Sequence, residues 1–269
     1  MIGETLLARM TWPQAKEAFA EDRVIVVPIG SVEQHGPHLP VGTDYLVADT
    51  LGKMIAARCK RSLVTPTIPV GYADYHTDFV GSLSVSLSTL EAYVWEYVSY
   101  LVKYGAKRIL FMNSHGGNMP ALDHITYRLR RQGVLAATIL WWDVLGVLAP
   151  EASPAGHGDW IETSMALACD PGAVKMDKAK LPVAKPANVE ALEIKTPHEV
   201  LFKGVPVHVR LATADFTATG DMPEPGLTPH GDPNIPPDRA SAELGARLME
   251  TVVTFAVEFM REFRRMKLE

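Results

Sequence analysis

The sequence is poor in cysteine. Cys59 and Cys169 are the two cysteines among 269 residues, which is too few for a disulfide framework. Neither belongs to a Cys-x-x-Cys pair or to another thiol motif, which argues against a cysteine-ligated metal site and against a thiol nucleophile. We therefore expect two buried free thiols, and the chemistry has to come from other side chains.

The sequence also lacks a surplus of basic residues and a long apolar run. Its formal net charge is -5, whereas nucleic-acid binding depends on a basic surface. No stretch approaches the ~20 apolar residues of a membrane span, and Glu4 stands where a signal peptide would carry basic residues. We expect a cytoplasmic protein that binds a small molecule and has neither a nucleic acid nor a membrane as partner.

Short apolar runs alternate with segments of helical spacing. The runs at residues 24–29, 63–70, 108–113 and 134–141 are rich in β-branched residues and predict buried strands. Helical spacing follows Asp44 and recurs over residues 90–101 and 118–131. Strands that alternate with helices predict an α/β fold with a largely parallel sheet covered on both faces.

The ends of several helices can be predicted as well. Ser88 and Glu91 form a capping-box pattern, and Asn118 is placed as the N-cap of a helix with Pro120 in its first turn. A stripe of apolar residues predicts a final amphipathic helix over residues 240–264. Residues 171–239 are dense in proline and glycine, and we expect an irregular excursion there with one strand at residues 207–211. The whole chain, 1–269, is interpreted as a single domain.

Three polar motifs lie where predicted strands end or helices begin: GSVEQHGPHLPVGTD, NSHGGN and HGDWIETS. Ligands bind at the carboxyl ends of the strands in open α/β sheets, so these motifs are expected to meet in one crevice. Among their titratable residues, the candidate metal ligands are Glu33, His35, Asp44, His115 and Glu162. Two imidazoles and three carboxylates suit a pair of divalent ions such as zinc, manganese or iron, because the carboxylates would otherwise repel one another.

The same three motifs, in this order and at these separations, resemble the creatininase (creatinine amidohydrolase) family. The resemblance extends from TWPQA at residues 11–15 to TPHGDPN and ASAELG near the end. It implies a three-layer α/β/α sandwich, commonly assembled as a homohexamer. It also implies a two-metal centre that Asp44 bridges, with Glu33 and His115 on one ion, His35 and Glu162 on the other, and His157 as a proton shuttle.

The sequence departs from creatininase at positions near the substrate. Gly116 and Gly117 stand where creatininase has a Tyr-Glu pair, and the Glu of that pair binds metal. We therefore assign this ligand role to Glu162 in the present sequence. The tryptophan that stacks on the substrate has no counterpart before His157, and Phe-Pro-Gly-Thr has become FVGS at residues 79–82. We expect a substrate other than creatinine.

The expected activity is hydrolysis of a cyclic or small amide, in which two metal ions activate water as hydroxide and polarise the carbonyl. One alternative is ring opening of a cyclic polyol ketone, such as the keto-inositol 3-dehydro-scyllo-inosose. Another is a non-catalytic protein that binds metal or a small ligand. The residues predicted to contact substrate are His38, which could instead orient a ligand, together with His76, Gly116, Gly117 and Trp142. Surface or core roles are expected for His124, His198, His208 and His230.

Overall fold

A computed structural model describes residues 4–152, 156–180, 185, 191–196, 198–220 and 239–267. Its α-helices are α1 (Trp12–Ala20), α2 (Thr43–Arg58), α3 (Leu87–Lys103), α4 (Met119–Arg131), α5 (Trp141–Leu148), α6 (Trp160–Cys169), α7 (Thr213–Phe216) and α8 (Ala242–Arg265). Its strands are β1 (Val24–Ile29), β2 (Ser62–Val64), β3 (Arg108–Asn113), β4 (Leu135–Leu140), β5 (Leu192–Thr196), β6 (Glu199–Phe202) and β7 (Val205–His208). The motif TPHGDPN and His230 lie outside the described residues.

The central sheet is parallel throughout and has the strand order β2-β1-β3-β4. Every residue of β1 is buried, as expected for an inner strand covered on both faces. The prediction of a largely parallel sheet is confirmed. The second strand is shorter than predicted, because Pro66 and Pro69 lack the N–H groups that continued pairing requires. Beyond β2 the chain pairs again with β1 at the bridge between Ile29 and Ile68.

Helices cover both faces of this sheet. Val24 and Val26 of β1 point into an apolar cluster with residues of α2, α5, α6 and α8. Ile25, Val27 and Ile29 alternate with them and point into a second cluster with residues of α3 and α4. Because successive side chains of a strand point to opposite faces, this division places one helical layer on each side. The three-layer α/β/α arrangement is confirmed.

Residues 171–239 contain more regular structure than predicted. Three antiparallel strands, β5, β6 and β7, pair in that order, and β7 at Val205–His208 replaces the strand predicted at residues 207–211. All residues of β7 are exposed, so neither face of this strand has to be apolar. Such a strand need not show the apolar–polar alternation by which strands are predicted from sequence. The interpretation of residues 1–269 as one domain stays a prediction.

The N-caps predicted for α3 and α4 differ from those in the structure. The N-cap of α3 is Ser86, whose hydroxyl accepts a hydrogen bond from Thr89 N, so the capping box predicted at Ser88 and Glu91 is wrong. Asn118 precedes α4 as predicted, but its side chain makes no cap and bonds to loops instead. The final helix α8 begins and ends close to its predicted bounds, and Leu248 and Val252 of its apolar stripe are fully buried.

Among the described helices, none combines the length and apolarity that a bilayer span requires.

Helix α8 packs against α6 at a point where a side chain does not fit. A Cβ atom on Gly245 would lie 1.9 Å from the carbonyl oxygen of Ser164 in α6. We expect Gly245→Ala to lower the free energy of unfolding by about 1–3 kcal/mol, because overpacking outweighs the roughly 1 kcal/mol helix preference of alanine. Urea unfolding midpoints measure the loss. Ala246→Ser, at an exposed position of the same helix, is the control, and an unchanged midpoint for Gly245→Ala would contradict the close packing.

Candidate metal centre

The five candidate metal ligands of the three motifs meet at the carboxyl edge of the central sheet. Glu33 and His35 follow β1, and His115 follows β3. Asp44 lies in the first turn of α2 and Glu162 in the first turn of α6. All five side chains are buried. The parallel sheet explains the meeting point, since the carboxyl ends of its strands share one edge.

Asp44 lies between two imidazoles and presents one carboxylate oxygen to each. His115 Nδ1 is 3.3 Å from Asp44 Oδ2 and 3.1 Å from Glu33 Oε2. On the other side, His35 Nε2 is 3.2 Å from Asp44 Oδ1 and 3.5 Å from Glu162 Oε1. Each half of the cluster therefore contains one imidazole, one glutamate and one oxygen of Asp44. This is the pairing that the family resemblance implies.

Each imidazole in the cluster is oriented by a hydrogen bond from its other nitrogen. His35 Nδ1 donates to the carbonyl oxygen of Glu33 at 2.9 Å. His115 Nε2 donates to the carbonyl oxygen of Tyr72 at 2.8 Å. These bonds direct His35 Nε2 and His115 Nδ1 towards the carboxylates, which is how metal-binding histidines are usually oriented.

Glu162 is held by the start of its own helix. The carboxylate of Asp159 caps α6 by accepting hydrogen bonds from the backbone N–H groups of Ile161 and Glu162. Glu162 Oε2 accepts the backbone N–H of Gly158 at 2.6 Å. The other oxygen, Oε1, remains directed at His35, so the helix start determines which oxygen faces the cluster.

Two buried oxygens of the cluster have no hydrogen-bond partner. They are Glu33 Oε2 and Asp44 Oδ2, the two atoms that face His115 Nδ1. A buried carboxylate oxygen without a donor is costly, and such exceptions need a specific cause. A cation between these oxygens and the imidazole nitrogen would satisfy all three, and the residues present therefore fit a divalent metal ion.

The carboxylates raise the pKa values of two imidazoles in the cluster, His115 and His35. Burial lowers the pKa of His115, but the Glu33 and Asp44 carboxylates outweigh burial and raise it to about 10. Burial likewise lowers the pKa of His35, which Glu162 and Asp44 raise well above its ordinary value. Conversely, burial raises the pKa of Glu33, and its interactions with the His115 and His76 imidazoles bring that pKa well below its usual range. Protons thus compensate the carboxylates where metal ions would otherwise do so.

Two further imidazoles stand beside this cluster. His157 packs on His35 with ring centroids 4.3 Å apart and on His76 with centroids 4.5 Å apart. His76 Nε2 is 3.2 Å from Glu33 Oε1, and His157 Nδ1 is 3.8 Å from the same oxygen. The His157 side chain is 17% exposed, whereas those of His35 and His115 are 1% and 4% exposed. Of these rings, His157 is therefore the one that a molecule arriving from solvent can reach most easily.

The residues predicted to contact substrate occupy different surroundings. His38 is buried against Thr163, with Nε2 2.8 Å from its hydroxyl, and burial together with His35 lowers its pKa to about 4. Trp142 packs beside Trp141 against the apolar cluster under α8. His76 is buried and faces Glu33. The substrate role of these three residues stays a prediction, and the positions of His38 and Trp142 give it no support.

The adjacent glycines Gly116 and Gly117 differ sharply in the space around them. A Cβ atom on Gly116 would meet nothing within 4 Å. A Cβ atom on Gly117 would lie 2.2 Å from the carbonyl oxygen of Tyr72 and 2.4 Å from His115 Nε2. No side chain, glutamate included, fits at position 117 without displacing His115. The absence of the creatininase glutamate is therefore consistent with the packing around this glycine.

Several residues that contact the cluster were missed as functional candidates in the sequence. Gln34 contacts both His76 and His157, and its place between two predicted ligands was an available signal. Asn118 bonds to Gly30 O, Asn113 Oδ1 and Tyr72 N, although the sequence indicated only an N-cap. Thr213 contacts His76 from a segment without any periodic pattern, so no sequence signal was available for it.

The glycine pair provides a test of the His115 packing. We expect Gly117→Ala to lower the free energy of unfolding by about 1–3 kcal/mol through overpacking and to reduce metal content, because the new methyl group displaces His115. We expect Gly116→Ala to leave both within error. Urea unfolding and elemental analysis of metal-loaded protein measure the two quantities. Equal behaviour of the two variants would contradict the packing described for Gly117.

The whole sequence was compared with protein families and with individual known proteins. The family model described as creatinine amidohydrolase (Creatininase) matches residues 8–260. The mycofactocin precursor peptide peptidase of Mycobacterium ulcerans (strain Agy99) is 34% identical over 184 residues, covering 65% of this chain and 66% of that protein. The alignment thus spans slightly less than two thirds of that relative's length. The creatinine amidohydrolase of Pseudomonas putida is 28% identical over 200 residues, covering 66% of this chain and 76% of that protein.

The fold comparison agrees over almost the full length. A solved mutant creatininase described as the Zn-Zn type has a TM-score of 0.72 and 25% sequence identity, covering 97% of this chain and 98% of that chain. The three motifs, the parallel sheet and the Glu, His and Asp cluster thus occur together in a chain that the family model matches almost from end to end. The chain belongs to the creatininase family.

Proposed function

We propose that this protein is a metal-dependent amidohydrolase that cleaves the C–N bond of an amide at the Asp44 cluster. The observation that carries the proposal is the position of Asp44, which presents one oxygen to each of two imidazole-glutamate pairs. A carboxylate so placed would be able to hold two divalent metal ions, one with each of its oxygens.

The proposed ligands follow from the contacts. Glu33 and His115 would hold one ion, His35 and Glu162 the other, and Asp44 would bind both. Zinc, manganese and iron suit a donor set of imidazole and carboxylate, and the unpartnered oxygens of Glu33 and Asp44 support a cation at this place. We further propose two ions per subunit. Assembly as a homohexamer and a cytoplasmic location rest on the family resemblance and on composition, and they remain part of the proposal.

In the proposed reaction the metal ions and the side chains of the protein have different roles. When bound, a pair of divalent ions activates water and polarises a carbonyl group. His157 is the proposed proton carrier to the departing nitrogen, because it is partly exposed and lies against both His35 and His76. Its Nε2 donates to the carbonyl oxygen of Gln34 at 2.7 Å, which leaves Nδ1 directed towards Glu33 and able to accept a proton.

The proposed substrate is an amide other than creatinine. Cyclic lactams, formamides and short peptides are the classes to test, and peptides deserve inclusion because the mycobacterial relative is named as a peptidase of a precursor peptide. A polyol ketone belongs in the same screen. Turnover of inososes without turnover of any amide would replace amide hydrolysis by ring opening, and tight metal binding without any turnover would indicate a binding protein.

Removal of the Asp44 carboxylate should lower the metal content and abolish hydrolysis. We expect Asp44→Asn to reduce metal content from two ions per subunit to one or none and to abolish hydrolysis, because the amide supplies neither the charge nor the second anionic oxygen. Elemental analysis after reconstitution measures the content. Asp123→Asn, at an exposed position of α4, is the control. Full hydrolytic activity of Asp44→Asn in metal-free buffer would refute the proposal.

The proton carrier can be separated from the metal ligands. We expect His157→Ala to retain its metal and to lose about 10²–10⁴-fold in kcat, the usual contribution of general acid–base catalysis. The exposed His124, which pairs with Glu91 on the surface, provides the control variant His124→Ala. Loss of metal in His157→Ala would instead make His157 a ligand, and an unchanged kcat would remove it from the reaction.

A further inference from the structure

Gln34 lies between two proposed metal ligands, Glu33 and His35, and its side chain is buried. Its Oε1 accepts the backbone N–H of Gly36 at 3.0 Å. That bond determines which end of the amide is the oxygen, so the other end carries the two N–H donors. Because the amide is enclosed, each donor needs an acceptor among its neighbours.

Two acceptors and one competing donor surround the amide nitrogen of Gln34. Nε2 is 2.9 Å from the carbonyl oxygen of Gly220 and 2.9 Å from His76 Nδ1. It is also 2.9 Å from His157 Nε2. The latter atom is itself a donor, because it lies 2.7 Å from the carbonyl oxygen of Gln34. The two amide hydrogens therefore point to Gly220 O and to His76 Nδ1, which also faces the Thr213 hydroxyl at 2.7 Å, and the backbone carbonyl of Gln34 accepts a hydrogen bond from His157.

These bonds determine which nitrogen of each imidazole faces the metal centre. With Nε2 of His157 bonded to Gln34 O, Nδ1 faces Glu33 Oε1 at 3.8 Å. With Nδ1 of His76 accepting from Gln34, Nε2 faces the same oxygen at 3.2 Å. The two rings are stacked with an interplanar angle of 12°. A shift of Gln34 would therefore move both rings relative to Glu33.

The Gln34 amide also joins the centre to residues 213–220, which follow β7. Thr213 is fully buried, and its hydroxyl is 2.7 Å from His76 Nδ1. Gly220 packs so tightly on Gln34 that a Cβ atom there would lie 2.0 Å from Gln34 Oε1. This segment thus supplies one hydroxyl and one carbonyl oxygen to the Gln34–His76 pair.

We propose that Gln34 is a positioning residue for the reaction. It holds His157 through its backbone carbonyl and His76 through its side-chain amide, and residues 213–220 hold Gln34 in turn. The inference rests on the proposed function, because His157 is the group through which Gln34 would affect the rate. Loss of the amide would leave Gly220 O without its buried donor and His76 Nδ1 with Thr213 alone, and it would release the loop that carries the carbonyl.

The kinetic test uses Gln34→Met, which keeps the side-chain length and removes the donors. We expect kcat to fall by about 10²-fold, the scale of a 1 Å misplacement of a reacting group, with KM and metal content unchanged. In the His157→Ala background the same substitution should cause no further loss. The exposed Gln132 at the end of α4 provides the control Gln132→Met. An equal loss in both backgrounds would overturn the proposal.

A second variant and a second readout separate this inference from the proposed function. Gln34→Glu is isosteric and places an oxygen against Gly220 O, so it should reproduce the kcat loss even if Gln34→Met folds poorly. Crystal structures of the wild type and both variants report the His157 ring directly. A ring displaced from the carbonyl of residue 34, or present in two orientations, supports the proposal even if no amide is hydrolysed. An unmoved ring in both variants would overturn it.

Discussion

Three carboxylates buried in one small space are the constraint on which the rest of this structure depends. The side chains of Glu33, Asp44 and Glu162 are buried, and their oxygens face the imidazoles of His35, His115, His76 and His157. Like charges at low dielectric repel strongly unless positive charge lies among them. In the protein without metal, protons on His35 and His115 provide that charge. Two divalent cations would replace those protons and leave the imidazoles neutral as ligands.

A rigid frame keeps these groups together despite their repulsion. Glu33 and His115 follow neighbouring inner strands whose two faces are both covered by helices, so the strand ends have little freedom. Asn113 bonds to both the backbone N–H and the carbonyl of His115. Asn118 ties the loop after β3 to the end of β1. Ligands attached to such a frame are preorganised. The packing of the sheet against its helices offsets the repulsion between the buried carboxylates.

One departure from creatininase, the glycine at position 117, agrees with the packing around it. Position 117 has no room for a side chain, because Tyr72 O and His115 Nε2 occupy the place of a Cβ atom. The carboxylate that faces His35 comes instead from Glu162, at the capped start of α6. Helix α6 is in turn held against α8 through the close approach at Gly245.

The sequence by itself determined the parallel sheet, the covered faces and the set of candidate ligands. Strand and helix periodicities are local, and the polar motifs directly follow or begin those elements. The predictions from local patterns were wrong at three places. Strand β2 is shorter than predicted because of its prolines, Ser86 rather than Ser88 caps α3, and β5 to β7 form a sheet that was not predicted. Only the tertiary structure decided which oxygen faces which imidazole and that Gln34 is bonded to Gly220 and His76 to Thr213. Those contacts join residues 186 and 137 positions apart, and packing between distant segments leaves no mark in a local pattern.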